Sequence, residues 1–156
     1  MNFNLMEIIT KELQMQPKDL LPLIPVFVFI AIAAYIDQKE MRIPNQLNYG
    51  MMMFRFAFIP FLPLEAKYLI GFLIGGAIIM IPAMIILKPM GGDIKFAAAL
   101  GLWVGDVKLV LSLSIAVILF VIYGVFIKKL NRKESAPFAP FMALGFLIIT
   151  AVGFFV

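Results

Sequence analysis

Residues 20–36 read LLPLIPVFVFIAIAAYI, an uncharged run of 17 closed by Asp19 on one side and Asp37 on the other. A membrane helix needs about 17–25 mostly apolar residues, so this run is long enough to cross a bilayer. The same spacing recurs along the chain. Tyr68 to Leu87 gives 20 uncharged residues, Leu109 to Ile127 gives 19, and Ser135 to Val156 gives 22. Between Arg42 and Glu65 lie 22 residues interrupted only by Arg55. The stretch Asp93 to Val104 is shorter, 12 residues or about 18 Å as helix. This pattern predicts an all-α, polytopic membrane protein of about six helices, the fourth one short. Residues 1–20 form either an N-terminal tail or an interfacial helix ending before Pro17, with Leu5, Ile9 and Leu13 at helical spacing. Residues 21–156 form one membrane domain.

Composition agrees. Of 156 residues, 63% are hydrophobic and 14% charged, and the mean hydropathy is +1.05. Soluble domains average roughly 45–50% apolar and about 25% charged. A soluble enzyme, a disordered chain and a nucleic-acid-binding domain are therefore poor readings. The chain has no cysteine and no histidine, which removes disulfides, thiolate nucleophiles and most zinc sites. No metal or other cofactor is expected.

Orientation follows from lysine and arginine. The loops after spans one, three and five hold Lys39, Arg42, Lys88, Lys95, Lys128, Lys129, Arg132 and Lys133; the tail and remaining loops hold Lys11, Lys18, Lys67 and Lys108. The richer set faces the cytoplasm, with both termini outside. Lysines and arginines of the richer set also suit lipid headgroups.

Asp37 ends the first span and Asp93 opens the fourth, so two intervening spans bring both to the cytoplasmic side. Two carboxylates at one depth read either as a catalytic pair or as two interfacial cap residues. Asp106, in Gly105-Asp106-Val107-Lys108, echoes Gly92-Asp93-Ile94-Lys95, but lies one span further on and reads as a turn residue. Gly91-Gly92 permits close approach of another chain. Asp93 stands where a helix N-cap is expected, and Asp37 at the helix end whose dipole disfavours negative charge, so Asp37 is expected to be the more readily protonated. Asn45, after Pro44, is expected to cap the second span. Gly71-x-x-x-Gly75 and Gly101-x-x-x-Gly105 fit close helix packing.

Three segments carry a resemblance. Asp37-Gln38-Lys39-Glu40-Met41-Arg42-Ile43-Pro44-Asn45 resembles the first-aspartate segment of bacterial prepilin peptidases. Met90-Gly91-Gly92-Asp93-Ile94-Lys95 resembles their second, with Met90 where the usual Gly-x-Gly-Asp pattern has its first glycine. Pro137-Phe138-Ala139-Pro140-Phe141-Met142-Ala143-Leu144-Gly145 is similar to the Pro-Phe-x-Pro-Phe-x-x-x-Gly of their last span. The resemblance implies a membrane aspartic endopeptidase that removes short basic leaders from prepilin or pseudopilin substrates at the cytoplasmic face. It makes Asp37 and Asp93 catalytic, with Gly91, Gly92, Lys95, Arg42, Pro44 and Asn45 in support. Larger relatives carry a cysteine-paired cytoplasmic region linked to N-methylation. This chain lacks such an insertion and resembles the short, peptidase-only form. Arg55, within the second span, is a candidate contact for an acidic residue of the substrate helix. The rival reading is a non-peptidase membrane protein, a proton-coupled transporter or an inactive pilus-assembly subunit, using the same acids.

Overall fold

A computed structural model describes residues 5–14, 17–86, 91–124 and 136–155. Among them lie seven helices and no strand: α1 (Leu5–Leu13), α2 (Pro17–Glu40), α3 (Asn45–Ala57), α4 (Ala66–Ile86), α5 (Gly91–Val104), α6 (Asp106–Ile122) and α7 (Ala139–Phe155). The fold class is all-α, as the apolar runs predict. The number of crossings is not established by helix length. Among the described residues only Leu20–Glu40 of α2 is long and apolar enough to cross a membrane by itself, and Ala66–Ile81 and Ala139–Phe155 are shorter apolar helices. The lysine and arginine cluster at 128–133 lies outside the described residues, as do Lys88 and Met90.

Helix α5 is the centre. Phe96 through Trp103 are buried without a break, and a helix apolar on every face needs neighbours on every face. It packs against α3 and α4 and also touches α2 and α6; α4 continues onto α6, α6 onto α7, and α7 onto α2. The small residues explain the tightest contact. A Cβ on Gly71 of α4 would lie 2.6 Å from the Gly101 carbonyl oxygen, and one on Gly101 of α5 would lie 2.1 Å from that of Gly71. The expected small-residue packing is therefore between α4 and α5. Helix α1 lies against α6 and α7.

The second apolar run folds differently from a long span. Helix α3 stops at Ala57, because Pro60 and Pro63 follow and neither supplies a backbone N–H. Arg55, in the last turn of α3, is fully buried. Its guanidinium donates to the carbonyls of Leu102 (2.9 Å), Leu62 (2.8 Å) and Pro63 (3.3 Å). It also lies over the rings of Tyr68 (4.9 Å) and Trp103 (5.8 Å). Beside it the Trp103 indole N–H donates to the Met51 carbonyl at 3.0 Å. The charge that looked mid-membrane is thus a brace that joins α3, the 62–63 turn and the C-terminal end of α5.

At that same end α5 turns directly into α6. Gly105 takes a left-handed φ of 83°, and Asp106 opens α6 with its Oδ1 accepting the Val107 N–H at 2.9 Å. Asp106 is separated from Asp93 by the length of α5, about 17 Å from residue 93 to 104. It lies at the opposite end of α5 from Asp93, as the first residue of α6 rather than in the turn itself, which Gly105 alone makes.

Candidate active site

Asp37 lies one residue short of the last three of α2 and is 3% exposed. The Met41 N–H closes the turn on the Asp37 carbonyl at 2.9 Å. Met41 then takes φ 54°, a left-handed conformation that ends α2 and turns the chain. This reversal leaves Arg42 outside, paired with Glu40 at 3.2 Å with both side chains exposed, and buries Ile43. Lys39 is also exposed and lies over the Tyr35 ring at 4.4 Å. Neither basic residue touches the aspartate through these contacts.

Pro44, at φ −64° and ψ 141°, is the cap residue of α3, and no side chain caps that helix. The expectation that Asn45 does so is corrected. Asn45 is the first residue of α3, and its Oδ1 accepts from Lys95 Nζ at 2.9 Å. Lys95 also lies 5.5 Å from the Tyr49 ring centre. The supporting residues Pro44, Asn45 and Lys95 thereby tie the start of α3 to the first turns of α5.

The third segment comes from far along the chain. The Ala139 N–H, at the start of α7, donates to Asp37 Oδ2 at 2.8 Å in a buried contact, and the Phe138 N–H is a second backbone partner. The physical reason is the unsatisfied N–H groups of a helix's first turn, which favour an anion. The carboxylate of Asp37 therefore meets the N-terminus of α7, although it stands near the C-terminus of its own helix.

Asp93 lies in the first turn of α5, two residues after Gly91, and not at a cap. Its expected advantage as the sole member at a helix N-terminus is removed, and with it the basis for making Asp37 the more readily protonated. Asp93 Oδ1 is buried without a hydrogen-bond partner among the described residues. The two carboxyl groups are close enough to interact electrostatically.

Of the two motif glycines, only one is demanded by contact. A Cβ on Gly91 would meet nothing within 4 Å, whereas one on Gly92 would lie 2.6 Å from the Ile43 carbonyl oxygen. The Ile43-Pro44 corner is pressed against the backbone just before Asp93. Asn48, which the sequence reading passed over, completes the contact: its Nδ2 donates to the Gly92 carbonyl at 3.1 Å. The signal for it was a polar side chain three residues after Asn45, hence on the same face of α3. Arg55 is remote from this cluster by its partners, at the other end of α5, and its donors are engaged by backbone carbonyls. The proposed contact with a substrate acid is replaced by this internal role. Among the described residues no group of three or more histidine, cysteine, aspartate or glutamate side chains could hold a metal.

A buried acid near the end of α2, anchored by a backbone N–H, and a half-buried acid in the first turn of α5, close enough to feel its charge, can exchange protons with a water and a carbonyl between them. Comparison with known proteins points the same way. The family model described as the type IV leader peptidase family matches residues 24–125. A protein named prepilin leader peptidase/N-methyltransferase, from Bacillus subtilis (strain 168), is 31% identical over 142 residues, 85% of this chain and 57% of that protein. The chain thus spans a little over half the length of that curated relative. No solved structure matches it.

Proposed function

The chain belongs to the type IV leader peptidase family, and on that premise we propose that it is an aspartic endopeptidase of the membrane. It removes the short basic leader from prepilin-like or pseudopilin-like proteins at the cytoplasmic face. The observation that carries this reading is the hydrogen bond from Ala139 N–H to Asp37 Oδ2, spanning 102 positions of sequence. With the Gly92–Ile43 contact it draws the three motif segments to one end of the bundle, where Asp37 and Asp93 interact.

The chemistry needs no group beyond the two carboxyls and a water. One carboxylate takes a proton from water as the oxygen attacks the scissile carbonyl carbon. The other carboxyl, protonated, gives its proton to the carbonyl oxygen. As the intermediate collapses, the C–N bond breaks, the departing nitrogen receives the proton that the first carboxylate took from water, and the second carboxylate recovers a proton from the intermediate's hydroxyl. The excess of lysine and arginine on the loops after spans one, three and five supports a cytoplasmic site. The membrane domain is 21–156. The short connection from Met41 to Pro44 leaves no room there for a cysteine-paired insert, and the proposal is limited to the peptidase step.

Co-expression with a prepilin tests it. Asp37→Asn and Asp93→Asn, each made singly, are expected to abolish shortening of the prepilin while the protein still inserts, and Asp106→Asn is expected to process it nearly normally. Processing by either of the first two variants overturns the reading. Proton flux or solute uptake in vesicles, with the prepilin left whole, supports the transporter alternative.

A further inference from the structure

We propose that Asn48 is a positioning residue for Asp93, holding the Gly92–Asp93 peptide through the Gly92 carbonyl. The inference rests on the peptidase reading and adds a residue that the three motif segments do not contain.

Asn48 is completely buried in the second turn's reach of α3, at 0% exposure. Its amide offers two N–H donors and a carbonyl acceptor. Nδ2 donates to the Gly92 carbonyl at 3.1 Å, and Oδ1 has no partner among the described residues. A buried acceptor without a donor destabilises a fold, and an apolar side chain of the same shape would remove that cost. What asparagine offers here that leucine cannot is the donor to the Gly92 carbonyl.

The placement of that carbonyl gives the bond its consequence. Gly92 precedes Asp93 directly. Its Cα faces the Ile43 carbonyl so closely that a Cβ would lie 2.6 Å from it. The peptide leading into Asp93 is thus pressed by the 43–44 corner and pulled by Asn48. Asn45, one turn earlier on α3, takes the Lys95 ammonium at 2.9 Å. Helix α3 therefore grips the start of α5 at two points, one exposed and one half-buried. The half-buried one is next to the Asp93 carboxyl. Two carboxyls that share one water need their separation held, and Asp37 is already held by Ala139. Asn48 supplies the corresponding hold on the Asp93 side.

The test separates positioning from packing because a packing role shows chiefly in the unfolding temperature, whereas a positioning role lowers kcat out of proportion to it. The full chain in detergent is assayed against a full-length prepilin, with kcat, KM and thermal stability measured together. Asn48→Leu is expected to unfold at or slightly below the wild-type temperature, to keep KM within about twofold and to lose about tenfold or more in kcat, the scale of loss that a sub-ångström to 1 Å misplacement produces. A wild-type kcat in this variant overturns the proposal. Should Asn48→Leu fail to fold, Asn48→Gln and Asn48→Met decide, being alike in size and differing in the amide donor. Glutamine is expected to exceed methionine in kcat by about threefold or more, and equal values overturn the proposal. An inert wild type, matching Asp93→Asn, removes the peptidase reading and this role with it. An active wild type with unaffected Asn48 variants removes this role alone.

Discussion

Replacing Gly92 with alanine probes the contact that aims Asp93. The new Cβ would lie 2.6 Å from the Ile43 carbonyl oxygen, 3.1 Å from the Ile43 nitrogen and 3.3 Å from its Cβ. Ordinary contact begins near 3.4 Å, so roughly 0.8 Å must be found. The obstructing atoms are mainly backbone, so no rotamer change relieves them. Ile43 is itself buried, and the cap at Pro44 fixes the direction in which α3 leaves. Relief must come from the start of α5, carrying Asp93 with it. Overpacking of this kind costs about 1–3 kcal/mol, partly offset by the gain of about 0.5–1 kcal/mol when alanine replaces glycine inside a helix. The expected outcome is a folded protein, destabilised by no more than about 2.5 kcal/mol, whose kcat falls roughly tenfold to a hundredfold because misplacement near 1 Å is enough. Cleavage of a prepilin in detergent, followed by the mobility of the shortened product, measures kcat, and thermal unfolding measures the stability. Gly50→Ala is the comparison, since its Cβ would meet nothing nearer than Phe29 at 4.0 Å, and it is expected to cleave normally. Gly92→Ala with the kcat of the wild type would refute the claim that the Ile43 corner aims Asp93.

Two further outcomes follow from the far end and the core of the bundle. Arg55→Leu strips donors from three carbonyls, one of them buried, and is expected to cost about 3 kcal/mol or more. The yield of folded protein should fall, and residual activity should fall equally for substrates with and without an acid in the mature helix; a loss confined to acidic substrates would restore the substrate-contact idea. Gly101→Ala sets a Cβ 2.1 Å from the Gly71 carbonyl oxygen, so α4 and α5 must separate. Destabilisation of about 1–3 kcal/mol is expected, read as a lower unfolding temperature in detergent.

Much of the site was legible because its chemistry is written locally. An acid that ends an apolar run and a Gly-Gly-Asp that opens another are visible without coordinates, and so is the turn that makes Asp106 a bystander. The Gly-x-x-x-Gly spacing announced a close crossing, which the Gly71–Gly101 approach realises. The misreadings came from groups whose partners lie elsewhere. Arg55 looked like a charge in lipid because the carbonyls of Leu62, Pro63 and Leu102 are not adjacent to it in a sequence pattern. Asn45 looked like a cap because asparagine is a good one, but Pro44 holds the cap position and the Asn45 side chain is drawn to Lys95. Asn48 drew no notice, since an asparagine in an apolar helix has no meaning until its burial is known.

The amino-acid order alone determined that the chain is helical and rich in long apolar runs, and which acids stand at helix ends, because length, polarity and punctuation of apolar runs are properties of neighbours in sequence. Only the tertiary structure decided how those ends are held. Asp37 takes its N–H partner from Ala139, 102 residues away, and Gly92 takes its limits from Ile43 and Asn48. Such contacts are set by packing around the fully buried α5, where a backbone group must find a partner in space, whatever its distance along the chain.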